Sequence, residues 1–150
     1  MGESAYPAAT FNYQGVGKRF VALVIDVVIM YIVLIVISLI AVGSAGAGMT
    51  PEGIAAVGGG GALIWFLFAV LYPILMEGYL GATVGKMVLG LRVVKEDGSP
   101  CGLGAAFIRN LLRIIDGLFG YLVGAILIWN SDKRQRLGDR LAKTVVVAKS

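Results

Sequence analysis

Residues 20–42 form an apolar run whose only ionised side chain is Asp26, and no other feature of the chain limits its fold so tightly. At about 1.5 Å per residue, a helix of that length crosses a roughly 30 Å hydrocarbon core. A second run, residues 62–80, passes through Leu63-Ile64-Trp65-Phe66-Leu67-Phe68 and is interrupted by Pro73 and Glu77. An internal proline is tolerated in a membrane helix where a neighbour resatisfies the freed carbonyl, so this run reads as one bent span. Of the 150 residues, 58% are hydrophobic and 15% charged, against about 25% charged in a soluble domain. The chain therefore reads as an all-α membrane protein with one membrane unit.

Glu3 comes early and the first basic residues are Lys18 and Arg19. The apolar stretch after them is too long for an ordinary signal core, so the first helix is expected to stay in the protein. Residues 1–15 are expected to be a flexible N-terminal segment, and residues 16–150 the membrane domain.

Lysine and arginine set the expected direction of the spans. Lys18 and Arg19 precede the first, Lys86, Arg92 and Lys95 follow the second, and the connector 43–61 has no basic residue. The positive-inside rule then puts the N-terminus and the region after Leu80 in the cytoplasm of a multi-pass cell-membrane protein. Gly58 to Gly61 read as a flexible external turn at the start of the second span.

The third apolar segment, residues 103–129, carries Arg109, Arg113 and Asp116 in its first half. A single crossing would leave Lys133, Arg134, Arg136, Arg140, Lys143 and Lys149 outside, against the rule. Two full crossings need about forty residues. The first half has the pattern of an amphipathic helix, with Phe107, Leu111, Leu112, Ile114 and Ile115 apolar. Gly117 and Gly120 permit a break, after which residues 122–129 dip in and return. An interfacial or re-entrant helical segment is the reading, with a third span as the alternative.

Two β-branched patches, Leu91-Arg92-Val93-Val94 and Thr144-Val145-Val146-Val147, have strand propensity, and the first leads into the turn pair Asp97-Gly98. Their pairing in a small cytoplasmic sheet would put the C-terminal tail on the side of the loop after the second span. The run Lys133-Arg134-Gln135-Arg136 reads as an anchor to anionic lipid headgroups, with Trp129 at the interface.

Asp26 is the residue whose chemistry asks for an account, because an unpaired carboxylate in hydrocarbon costs several kcal/mol. It follows Arg19 by about two helical turns, and antiparallel packing brings Glu77 to a similar depth. Arg109 and Arg113 are one turn apart, with Asp116 three residues on. Two roles follow for this cluster. Asp26, with Glu77 or Asp116, exchanges a proton or monovalent cation; alternatively, Arg109 or Arg113 holds Asp26 and docks the third segment.

Other chemistries find little support. Histidine is absent and Cys101 is the only cysteine, which removes the commonest general base, an internal disulfide and a cysteine metal cluster. Gly78, Gly81, Gly85 and Gly90 lack the strand-to-helix context of a phosphate loop. Gly81 with Gly85, and Gly120 with Gly124, have small-xxx-small spacing. No nucleophile and base stand together, so neither an enzyme nor a cofactor is expected. The basic tail has no aromatic stacking pattern for nucleic acid.

Lys18-Arg19-Phe20 with Ala22 and Ile25-Asp26, then Gly85-Lys86-Met87 and Gly90-Leu91-Arg92-Val93-Val94, resemble stretches of the RDD family of small membrane proteins. Arg109-Asn110-Leu111-Leu112-Arg113 and Arg136-Leu137-Gly138-Asp139-Arg140-Leu141-Ala142-Lys143-Thr144 are similar to its remaining stretches, so the likeness covers residues 16–147. The family takes its name from one arginine and two aspartates. Arg19 and Asp26 match the first two, and Asp139 the third, with Asp116 as the other choice. The resemblance implies two or more membrane helices and participation in transport, with cation/proton antiport suggested for some members. A homo-oligomer is expected, since two or three helices give a thin wall around a pathway. The alternative is a structural or adaptor protein that assembles with a membrane partner. On charge grounds Asp139, between Arg136 and Arg140, is expected to brace a short cytoplasmic tail helix.

Overall fold

The computed structural model describes residues 11–44, 50–118 and 122–149. Its two long helices are α1 (Val16–Ser44) and α2 (Pro51–Leu80). Each holds a stretch long and apolar enough to cross a bilayer, Val16–Ile40 and Gly58–Leu80, and only 11% of the most apolar window of each is buried. The core helix of a soluble protein hides such a surface. Here Ile32, Ile35, Leu39, Leu63, Phe66 and Leu67 are exposed, an apolar area far larger than water tolerates and suited to lipid.

α2 continues through Pro73 as one helix. It also begins earlier than its apolar run, so Gly58 to Gly61 are helical and not an external turn. Glycine costs about 1 kcal/mol per position in a helix. Leaving its backbone groups without partners at membrane depth costs several kcal/mol each, so the helix continues through them.

After Gly81, whose φ of 72° turns the chain, come α3 (Val84–Val88), β1 (Leu91–Lys95), α4 (Gly102–Leu118), α5 (Leu122–Trp129), α6 (Leu137–Leu141) and β2 (Thr144–Ala148). The third apolar segment is thus two helices of 17 and 8 residues, each short of the roughly 20 that a crossing needs. α4 packs along α2, α6 against α4, and α3 against α1. Gly120, one half of a small-residue pair with Gly124, lies outside the described residues.

β2 pairs antiparallel with β1 in the register Leu91↔Ala148, Val93↔Val146, Lys95↔Thr144. The chain therefore comes back, after α5, to the segment it laid down just after α2. Alternation gives the two-stranded sheet two apolar faces. Leu91, Val93 and Val146 pack with Ala22, Cys101 and Ala106 towards the helices. Val94, Val145 and Val147 face the other way and are covered by Phe11 and Tyr13. A one-residue slip would exchange these faces, so burial on both sides fixes the register.

Phe11 and Tyr13 correct the expectation that residues 1–15 are flexible throughout. Ala148 donates its amide to the Asn12 carbonyl at 3.1 Å, Gln14 donates to the Val146 carbonyl at 2.9 Å, and Tyr13 bridges Val147. The segment lies along the free edge of β2.

Candidate functional site

Where α1 begins and α2 ends, five elements bring charged side chains together in the interior. Arg109 of α4 is at the centre and is fully buried. Its Nε lies 2.9 Å from Glu77 Oε2 of α2, and its Nη1 lies 2.9 Å from Asp139 Oδ1 of α6. The same Nη1 donates to Thr144 Oγ1 of β2 at 2.9 Å. One guanidinium fork therefore joins two helices and the sheet, using the planar, multi-donor geometry that separates arginine from lysine.

Each carboxylate has further partners. Glu77 is ion-paired with Lys86 of α3 and accepts from Asn110 Nδ2 at 3.1 Å. Asp139 accepts from Arg19 Nη1 at 2.5 Å and from the Arg136 amide at 3.3 Å, and so caps α6. Burial would raise the Asp139 carboxyl, but Arg109, Arg19 and Arg136 together hold it well below the usual carboxylate range. Lys86 is pushed down to about 8, chiefly by burial and further by Arg109 and Arg136, against the pull of Glu77. Four cations, Arg19, Lys86, Arg109 and Arg136, thus surround two carboxylates.

α6 comes this close to α4 because residue 138 is glycine. A Cβ there would lie 2.8 Å from the Arg109 carbonyl oxygen. An equivalent approach joins α3 to α1, where a Cβ on Gly85 would lie 2.1 Å from the Ala22 carbonyl oxygen.

Asp26 belongs to this second contact and stands apart from the ionic cluster. It is 5% exposed. Oδ1 accepts from the Gly85 amide at 2.8 Å and from the Tyr72 hydroxyl at 3.0 Å, and Oδ2 accepts from Thr83 Oγ1 at 2.6 Å. The Tyr72 oxygen in turn accepts from the Val84 amide at 3.1 Å. A short helix begins with amides that have no internal acceptor, and Asp26 and Tyr72 supply acceptors from α1 and α2. Asp26 makes no ion pair with a described residue.

A family model for the RDD family matches residues 13–143. The chain belongs to the RDD family. It is 34% identical over 88 residues to the uncharacterized protein YckC of Bacillus subtilis, covering 56% of each chain. It is 36% identical over 88 residues to the uncharacterized protein YxaI of the same organism, covering 58% of this chain and 57% of that one. A proline-rich antigen homolog of Mycobacterium tuberculosis is 36% identical over 72 residues, 47% of this chain and 30% of the relative. The chain thus spans between about a third and just over half of the curated relatives it matches. No solved structure matches it.

Several expected contacts of this RDD protein need correction. Asp26 is held neither by Arg109 nor by Arg113, and it does not share a site with Glu77. Arg109 is engaged by Glu77 and Asp139. Arg113 makes no ion pair with a described residue and lines two cavities on whose walls Asp26 also lies. The reason is local. α3 presents oriented N–H and O–H donors at Asp26, while the arginine on the adjoining helix meets two carboxylates that carry full charge. Asp116 lies on α4, and its side chain is outside the described residues.

The basic run 133–136 also divides. Lys133 is near the surface and pairs with Glu96 at 3.3 Å, and Arg134 and Arg140 are exposed. Gln135 and Arg136 turn inward, with Gln135 Nε2 donating to Glu96 and to the Thr144 carbonyl. Tyr72, Thr83, Lys86, Asn110 and Thr144 escaped the sequence reading as site residues. Of these, Lys86, Asn110 and Thr144 stood in the quoted family stretches, and Tyr72 and Thr83 carried no local signal.

Proposed function

We propose that the protein is a small transport-related membrane protein in which Asp26 alone is the exchangeable carboxylate, trading a proton for a monovalent cation such as Na⁺. The carrying observation is that Asp26 is buried without an ion pair among the described residues while lying on the wall of a cavity of about 350 Å³ between α1 and α2. Tyr72, Thr83, Asn110 and Arg113 line that cavity with it. Glu77 and Asp139 face guanidinium or ammonium groups on several sides, so in this reading they hold the fold and do not exchange ions. A carboxylate bonded only by neutral donors is open to a cation in a way that one sealed by arginine is not.

In this reading the ionic cluster sits at the cytoplasmic leaflet of the cell membrane, both termini are cytoplasmic, and α4 and α5 lie at the interface. Copies of the chain assemble, because two spans cannot enclose a path. No catalytic chemistry and no cofactor are assigned. The test is Na⁺-driven proton movement in proteoliposomes with a trapped pH dye. Asp26→Asn is expected to abolish flux while eluting as a folded species of wild-type size. Wild-type flux in that variant removes Asp26 from the mechanism.

A second reading, an adaptor that docks on another membrane complex, draws on the three donors that make Asp26 an effective brace for α3. It expects no flux from the pure protein and a stoichiometric partner in gentle detergent extracts.

A further inference from the structure

A second cavity, of about 80 Å³, lies between α1, α4 and α5 and shares Leu23, Asp26 and Arg113 with the first. Arg19, Lys86, Arg109, Arg113 and Arg136 all line it, and among the described residues Asp26 is the one acid on its wall. Behind them, Glu77 and Asp139 neutralise part of this charge. Among the described side chains, five cations against three carboxylates leave an excess of two positive charges at a largely buried site. Two donors of these residues also lack a hydrogen bond, one of them, Arg136 Nε, lying 3.6 Å from Asp139 Oδ1 in an ion pair. Arg109 Nη2 and Arg136 Nε are buried and make no hydrogen bond to a described residue, although Arg109 as a whole has no exposed surface. Buried guanidinium donors almost always find an acceptor, because leaving one unmet costs a full desolvation penalty.

We infer that this cavity binds the phosphate of an anionic phospholipid. A phosphate group offers several acceptor oxygens and one or two negative charges, and a planar guanidinium fork is the side chain that matches it best. The remainder of the wall is apolar, with Phe20, Leu23 and Ala125 beside the cations. Phe20 also belongs to the exposed apolar surface of α1. A headgroup seated among the arginines thus has a continuous apolar surface along which its acyl chains run, which a free ion does not use. Arg19 marks the start of the span, at the depth where headgroups meet hydrocarbon. This site is internal and distinct from the exposed basic residues Lys133, Arg134 and Arg140, which attract anionic surfaces without specificity. It stands whether or not the protein moves ions.

The experiment titrates the full chain in neutral detergent with phosphatidylglycerol or phosphatidylcholine and reads bound lipid by native mass spectrometry. One phosphatidylglycerol is expected to be retained in preference to phosphatidylcholine. Arg113→Gln, which removes a cavity cation that holds no ion pair with a described residue, is expected to lower retention by about tenfold. Ala125→Leu keeps every charge and occupies the cavity, and is expected to lose the adduct; Lys133→Gln, outside it, is expected to keep it. Melting temperatures confirm that each variant is folded, and the two cavity variants act by different means, so each checks the other. Equal retention of the two lipids, equal losses in Arg113→Gln and Lys133→Gln, or an undiminished adduct in Ala125→Leu would overturn the site. Displacement of the lipid by millimolar inorganic phosphate would overturn the lipid as its source.

Discussion

Arg19 and Asp139 are 120 residues apart in sequence and meet at 2.5 Å, one near the start of α1 and the other inside α6. Arg19 also donates from Nη2 to the Arg134 carbonyl at 2.6 Å and from Nε to the Gln14 carbonyl at 3.1 Å. A single side chain at the foot of the first span therefore ties the N-terminal strand segment, the loop before α6 and the buried carboxylate together. The closure brings both ends of the described chain to one side of the helix pair.

Removing the carboxylate should be severe, because Arg19, Arg109 and Arg136 would lose a shared counter-charge in the interior. Asp139→Asn is expected to cost about 3–5 kcal/mol, the range for a buried pair stripped of one partner. A clear drop in the thermal midpoint of the detergent-solubilised protein checks it. A midpoint within a degree of wild type would show that the ion pairs contribute little.

The same residue sets an acid limit. Because the neighbouring arginines hold the folded Asp139 carboxyl below its unfolded value, the unfolded chain binds more protons near pH 4 than the folded one. The stability from this site is fully present above about pH 5 and is lost as the pH falls below about 4. Thermal midpoints measured from pH 6 to pH 3 should decline in wild type and decline less in Asp139→Asn. Parallel curves would place the acid sensitivity elsewhere.

Two spans and a strand pair were legible from sequence because each rests on local pattern: long uncharged runs for α1 and α2, and β-branched patches for β1 and β2. Glu77 and Arg109, read from the sequence as one cluster, do meet, whereas Asp26, read with them, has other partners and Lys86 was not among those read. The remaining pairings were not legible. Which carboxylate meets which arginine depends on the depth and rotation of α4, and those are set by Gly138 against Arg109 and by the packing of α4 along α2. The donors to Asp26 were hidden for another reason. They are a main-chain amide and two hydroxyls, groups that carry no charge pattern in a sequence. The inward turn of Arg136 likewise follows from Asp139 three residues later, and the surrounding basic run concealed it.

The close approach at Gly85 should tolerate no side chain. A methyl group there would meet the Ala22 carbonyl oxygen at 2.1 Å and Asp26 Cγ at 3.0 Å, both on the backbone or stem of α1 and unable to swing aside. Gly85→Ala is expected to destabilise by about 1–3 kcal/mol or more and to pull the amide donor away from Asp26. Gly104→Ala is the matched control, because nothing lies within 4 Å of its added Cβ and alanine favours a helix by up to about 1 kcal/mol. Equal midpoints for the two variants would mean that α3 does not sit against α1 as described.

The donors around Asp26 should be separable by deleting them singly. Tyr72→Phe removes the hydroxyl that donates to Asp26 and accepts from Val84, so one buried amide loses its acceptor while Asp26 keeps Thr83 and Gly85. Thr83→Val removes the shortest of the three bonds, at 2.6 Å, and leaves the Val84 amide satisfied. Each deletion is expected to cost about 1–3 kcal/mol, the penalty for a buried polar group left short of a partner. The double variant should depart from the sum of the two, because both hydroxyls serve the same carboxylate and the loss of one changes what the other contributes. Thermal unfolding of the three variants at pH 7 gives the coupling directly, and strict additivity would show that the two hydroxyls act on Asp26 independently.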